Sequence, residues 1–239
     1  GATRLPRAMV IGATGDEQMA FKAGVVGATE ARAIGVNIDF YPVVDVNNNP
    51  RNPVINLRSF GEDPALVSRM AVAYIKGIQS TGAFATAKHF PGHGDTNVDT
   101  HLGLAVINHP RERLDTVELV PFKAAIAAGV DAVMSSHIVL PALDPAPGIP
   151  ATLSRPILTG ILRDELKFGG LIFTDSMTMD AISKMFTHDK AAAEAVKAGV
   201  DFVLHSPDDD AAFKGIKAAV SAGEISEMQL NASVERRNV

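Results

Sequence analysis

Gly82-Ala83-Phe84-Ala85-Thr86-Ala87-Lys88-His89 decides the fold: a glycine that stops a helix, a run of strand character, and a basic pair where that strand ends. Upstream, Asp63 supplies an N-cap and Pro64 sits at the first helical position, so one helix is expected from Asp63 to about Gly82. The same order, amphipathic helix, glycine stop and short strand, recurs along the chain. Asp16 to Ile34 precedes Gly35 and a strand over 36–41, and Arg111 to Ala128 precedes Gly129 and a strand over 131–136. A helix capped by Ser154, with Pro156 in its first turn, leads through Gly169-Gly170 to 171–175, and Lys190 to Ala198 leads through Gly199 to 201–204. Two helices, Asp209 to Ala222 and Ser226 to Arg236, follow. Strands separated by helices and lacking two-residue hairpin turns need crossover connections, which predicts a parallel sheet covered on both faces. The unusual polar residues Asp45, Lys88, His89, His137, Asp175 and His205 fall at C-terminal strand ends or in the loops after them. A doubly wound sheet gathers such groups at one switch point, whereas a barrel takes them from its whole rim. Contributions from all five strands predict α/β architecture of the (β/α)8 TIM-barrel type, with about five strand–helix units in this sequence.

No low-complexity linker divides the chain, so residues 1–239 read as a single domain. With 46% hydrophobic and 21% charged residues it has the composition of an ordinary globular protein, which excludes disorder and collagen-like structure. No apolar run approaches the roughly 20 residues of a membrane-spanning helix, and the first residues lack signal-peptide architecture, so no membrane partner is expected. A formal charge of -5 offers no footprint for a nucleic-acid backbone. The absence of cysteine excludes thiol nucleophiles and cysteine metal sites, but it suits a reducing cytoplasm and an oxidising exterior alike, so the compartment stays open. No glycine-rich phosphate loop joins a strand to its helix. The long loops at 42–62, 89–110 and 138–153 are where chemistry is expected.

The richest of these begins Lys88-His89-Phe90-Pro91-Gly92-His93-Gly94-Asp95 and runs on to Asp99-Thr100-His101, with three histidines, a lysine and two aspartates. Its glycines could simply shape a turn. His89, His93 and Asp95 are residue types that ligate metals, although no helical His-Glu-x-x-His is present. Asp99 and His101, two positions apart, share a face if the segment is extended. A carboxylate on one imidazole nitrogen fixes the tautomer and leaves the other nitrogen to give or take a proton; a plain salt-bridged loop pair has the same spacing. The second segment is Phe173-Thr174-Asp175-Ser176-Met177-Thr178-Met179-Asp180. A carboxylate at the end of an apolar strand needs hydrogen bonds or a cation, with Lys88 one candidate; the alternative is a cap for a short helix starting at Thr178. Met177 and Met179 read as packing residues.

Lys88 to His101 resembles the K-H-F-P-G-H-G-D…D-[ST]-H signature of glycoside hydrolase family 3, in its β-N-acetylglucosaminidase, NagZ-like branch. The resemblance extends to Phe40-Tyr41-Pro42-Val43-Val44-Asp45-Val46, Arg58-Ser59-Phe60-Gly61, Ser136-His137-Ile138 and Thr174-Asp175-Ser176-Met177-Thr178-Met179, in family order. It implies a retaining exo-β-N-acetylglucosaminidase acting on cell-wall-type aminosugars. Asp175 would be the nucleophile that forms a glycosyl-enzyme, His101 the acid/base and Asp99 its orienting partner. Lys88, His89 and Arg58, with His137, match positions that hold the bound sugar. No metal or organic cofactor is implied, and the expected partner is a small carbohydrate. Other family members are β-glucosidases whose acid is a glutamate from a further domain, so Asp99-Thr100-His101 is the feature that points to N-acetylglucosamine. Alternatives are another family 3 glycosidase, a catalytically silent carbohydrate-binding fragment and a metal-dependent hydrolase. The family barrel begins with further strands and a D-x-E-G-G-x-V-x-R segment that this sequence lacks. Five strands would leave two parallel edges exposed, so an N-terminal segment outside this sequence, or a second chain, is expected to complete the barrel.

Overall fold

In a computed structural model of the protein, residues 2–97 and 103–236 are described. In chain order the elements are α1 (Ala8–Thr14), α2 (Glu17–Ala33), β1 (Ile38–Asp39), α3 (Pro64–Gln79), β2 (Phe84–Phe90), β3 (Ala105–Val106), α4 (Arg111–Thr116) and α5 (Val120–Ala127). They continue as β4 (Ala132–Ser135), β5 (Ile138–Val139), a π-helical segment Pro156–Glu165, β6 (Leu171–Phe173), α6 (Asp180–Ser183), α7 (His188–Ala198), α8 (Asp209–Ser221) and α9 (Glu227–Arg236). Two compact units result: the first runs to Asn97 and resumes over His109–Met134, and the second takes Ser135 onward with the stretch that ends at Asn108. No helix among the described residues is long and apolar enough to cross a membrane.

In the first unit, strands lie in the order β1-β2-β4. β1 and β2 are parallel, with Ile38 opposite Phe84 and Asp39 opposite Ala85. Pairing runs beyond the two residues of β1: Thr86 N donates to Tyr41 O, Lys88 N to Pro42 O and Val44 N to Lys88 O. Pro42 has no N–H to offer, so the strand expected over 36–41 continues as an irregular ladder to Val44. α2 and α3 begin where their caps place them, the Asp16 carboxylate accepting from Gln18 N and that of Asp63 from Leu66 N. The two helices cross closely because each offers a glycine at the contact. A Cβ on Gly24 would lie 2.5 Å from Tyr74 O, and one on Gly77 2.2 Å from Phe21 O.

Three expectations need correction here. The single helix expected over Arg111 to Ala128 is two, because Pro121 cannot donate to the carbonyl four residues back and Val117 leaves the helical region. The start of the chain, to which the sequence pattern assigns no element before Asp16, contains α1, a short helix with no side-chain cap to mark its start. The fifth strand, over 201–204, reduces to one parallel bridge between Phe173 and Phe202, since Thr174 Oγ1 rather than a backbone carbonyl accepts from Leu204 N.

The second unit carries β6, the parallel pair β3–β5 (Ala105 opposite Ile138, Val106 opposite Val139) and α7, α8 and α9. Ala193, Val196, Ala219 and Ile225 make a small core to which Val203, Ile216, Val220 and Leu230 pack. The buried Asp201 carboxylate is fully partnered, accepting from Arg163, Arg236, Ser233 and Ile172 N, as a charge in an apolar setting must be.

Candidate active site

In the first unit, the site residues are organised by Asp45. This side chain is completely buried, and both its oxygens are used. Oδ1 accepts from His93 N at 2.7 Å, both oxygens lie 3.2 Å from His89 N, and Oδ2 meets His89 Nδ1 at 2.7 Å. Burial alone would raise this carboxyl; the charge and hydrogen bond of His89, with His93, outweigh it and hold the group below the ordinary carboxylate value. With Nδ1–H directed at a carboxylate, His89 Nε2 becomes the acceptor, and Arg58 Nη2 lies 3.4 Å from it. Arg58 is half-buried and donates through Nη1 to Val54 O at 3.3 Å. The ring of His89 is thus held on one side by an anion and on the other by a guanidinium. Burial holds the Asp39 carboxyl above its ordinary value, and the charge of Lys88, half-buried beside His89, counters only part of that push. The Lys88–His89 and Phe90–Pro91 peptides are cis.

The loop after β2 is fixed by Asn52, whose Nδ2 donates to His93 O and Gly94 O at 2.9 Å each, while its Oδ1 accepts from Val54 N and Ile55 N. Gly94 is required by close approach: a Cβ there would lie 1.8 Å from Val46 O. A Gly94→Ala substitution is therefore expected to push the loop off the segment that carries Asp45. It should reduce any turnover that depends on this loop by on the order of 100-fold or more and lower the melting temperature, as a backbone clash at a positioning loop does. Activity within threefold of the natural chain would show that the loop yields without cost.

The residues weighed as metal ligands are not brought together. His89 is taken by Asp45 and Arg58, His93 Nδ1 lies 2.8 Å from Thr96 Oγ1, and Asp95 pairs with His109. Asp95 meets instead His109 and the buried Glu118, with one donor atom of each lying within 4.8 Å of the others. Arg113 Nη1 already lies 2.9 Å from each Glu118 oxygen, and Asn48 Nδ2 donates to Oε1 at 3.3 Å. A cation would have to displace a guanidinium, so this group reads as a charge network that ties the chain at Asp95 to the chain at His109.

In the second unit, Asp175 follows β6 on a turn pinned from several sides. Thr174 N donates to Phe202 O at 3.0 Å, Met177 N to Leu204 O at 2.9 Å and Met179 N to Ser176 O at 3.2 Å. Asp175 Oδ1 accepts from Ser176 N at 2.7 Å, and the residue is half-buried. The helix that follows starts at Asp180 with Met179 as its N-cap, so Asp175 does not cap it. Met177 and Met179 are buried, as packing residues should be. His137, expected to touch the sugar, is completely buried, with Nδ1 2.8 Å from Thr152 Oγ1 and Nε2 2.9 Å from Ser176 O. Asp99 and His101 lie outside the described residues. Sequence reasoning placed Asp45 at a strand end without assigning it a task; its partners are 44 and 48 positions away. Thr152, Asn52, His109 and Glu118 carried no local signal at all.

The chain is similar to "Beta-hexosaminidase A" of Pseudoalteromonas piscicida, 41% identical over 217 residues that make up 85% of this chain and 36% of that protein. It is 38% identical over 243 residues to "Beta-N-acetylglucosaminidase/beta-glucosidase" of Cellulomonas fimi, covering 98% of this chain and 43% of that one. A solved structure of a glycoside hydrolase family 3 beta-N-acetylglucosaminidase from Paenibacillus sp. str. FPU-7 superposes with a TM-score of 0.96 at 46% identity, over 99% of this chain and 45% of that one. The chain thus spans less than half the length of these relatives. The likeness gives it the TIM-barrel-like α/β fold that the order of strands and helices predicts. The model of the glycosyl hydrolase family 3 N terminal domain matches residues 1–238, and the chain belongs to that family.

Proposed function

We propose that residues 1–239 act as one catalytic domain of a retaining exo-β-N-acetylglucosaminidase that removes terminal β-linked N-acetylglucosamine from cell-wall-type aminosugars. The observation that carries this reading is the order Lys88-His89, Asp99-Thr100-His101 and Asp175 in a family 3 chain whose His89 ring is clamped between Asp45 and Arg58. In the first half-reaction the Asp175 carboxylate attacks the anomeric carbon, the glycosidic C–O bond breaks and His101 gives its proton to the departing oxygen. In the second, His101 takes a proton from water, the water oxygen attacks the same carbon and Asp175 leaves as carboxylate. Asp99 holds the His101 tautomer, while Lys88 and Arg58 donate to the sugar's hydroxyl and other polar oxygens and His89, its Nδ1–H taken by Asp45, offers Nε2 as an acceptor beside them.

Turnover of an aryl N-acetyl-β-glucosaminide by this chain, with release of the β-anomer first, tests the reading; an inverted product or no turnover overturns it. His101→Ala should slow substrates with poor leaving groups about 10²- to 10⁴-fold while sparing activated aryl glycosides in the first step. Equal loss on both classes would remove His101 from the acid role.

A further inference from the structure

The buried pair His137 and Thr152 lies beneath the Asp175 turn and is not needed to contact a sugar there. Its chemistry is directional. Ser176 O is a carbonyl, so the Nε2 that lies 2.9 Å from it must carry the proton. In the neutral ring Nδ1 is then an acceptor, 2.8 Å from Thr152 Oγ1, whose single hydrogen can go to it or to Ser136 O, 3.0 Å away. Ser135 Oγ lies 2.9 Å from the same Thr152 oxygen and can donate to it in turn. Thr152 is itself held by its backbone, its N donating to Ser136 O at 3.1 Å. Ser135, His137 and Thr152 are fully buried and Ser176 half-buried, so the chain of bonds starts in the core and ends on the carbonyl of the residue that follows Asp175. The Ser176 carbonyl also accepts from Met179 N, and Ser176 N is the group that fixes Asp175 Oδ1.

We propose that His137 is a positioning residue: its Nε2–H fixes the Ser176 peptide and, through it, the direction of the Asp175 carboxylate. This rests on the nucleophilic role proposed for Asp175. A bond from a fully buried ring meets less competition from water than one from an exposed side chain, so it can set the angle of the turn. Ser176 N and Ser176 O lie on opposite sides of one residue, and the carboxylate follows the residue when it rotates.

Two substitutions separate the possibilities. In His137→Gln the side-chain amide nitrogen falls near the place of Nε2 and can still donate to Ser176 O; in His137→Asn the shorter amide falls short. Turnover is normalised to active sites counted by covalent trapping with a slow-turnover fluorinated glycosyl fluoride. H137N should then lose about 10- to 100-fold in kcat with KM changed less than threefold, and H137Q should recover most of it. A sugar contact would instead raise KM in both variants, and a purely structural role would reduce the number of trapped sites at unchanged kcat per site; either result overturns the proposal. Amide exchange at Met177 and Met179 reads the same positioning without catalysis: protection should fall in H137N and hold in H137Q. Unchanged protection in H137N overturns the positioning role, whereas lost protection in a chain that traps no glycosyl fluoride would instead remove Asp175 as nucleophile.

Discussion

Asp175→Ala is expected to reduce turnover of an aryl N-acetyl-β-glucosaminide by on the order of 10⁴-fold, the scale on which loss of a nucleophile acts when binding groups remain in place. The substitution removes the only atom pair proposed to bond to the anomeric carbon, so neither half-reaction has a path. Folding should be little affected, because Asp175 is half-buried and the turn around it is held by backbone bonds of Thr174, Met177 and Met179 that an alanine leaves intact. The diagnostic result is rescue. Azide at high concentration can occupy the space the carboxylate leaves and attack the same carbon, giving an α-glycosyl azide, inverted relative to the β-substrate. A residual rate within tenfold of the natural chain, or rescue that yields only the β-azide, would take the nucleophilic role away from Asp175.

What the sequence discloses and what it hides follow from the range of the interactions involved. The caps at Asp16 and Asp63 act over two or three residues, so both helix starts could be read directly. The alternation of helix and strand needs only local composition, and it predicts the parallel pairing of β1 with β2 and the polar ends of the strands. Failures cluster where a distant group decides. Thr174 Oγ1, 30 positions from Leu204, interrupts a ladder that β-branched residues would extend; Pro121 is the exception, a local residue that splits a helix periodicity alone would continue. The parallel pair β3–β5 lies inside stretches that composition marks only as long loops. His137 belongs to a family motif, and the motif places it near the sugar; its ring is committed to Thr152 and Ser176, 15 and 39 positions on. The same limit hides Asp45. Its position at a strand end was visible, whereas its two partners, His89 and His93, come after α3 in the sequence, and only the folded chain shows that the motif histidines are built around it.

Asp45→Asn should therefore destabilise the protein by about 1–3 kcal/mol, the usual cost of leaving buried donors without their full set of acceptors. An asparagine amide has one oxygen where the carboxylate has two, so it cannot accept from His89 Nδ1 and from both His89 N and His93 N without turning an NH₂ toward a donor. The effect has a pH signature. The folded-state pKa of Asp45 lies below that of an unfolded aspartate, near 3.9, so its contribution is complete above that value and is lost as pH falls through the folded one. Urea unfolding should accordingly show the largest gap between the natural chain and D45N at neutral pH, narrowing once the medium is more acidic than about pH 4. A gap that stays constant across this range would mean that packing, not charge, makes Asp45 important. The catalytic consequence separates Asp45 from Asp175: without the anion, His89 loses the partner that fixes its tautomer, Nε2 no longer faces Arg58 as an acceptor, and the sugar-holding groups lose their registration. KM should rise at least tenfold in D45N while covalent trapping at Asp175 still occurs, because Asp45 orients binding groups and forms no bond to the substrate.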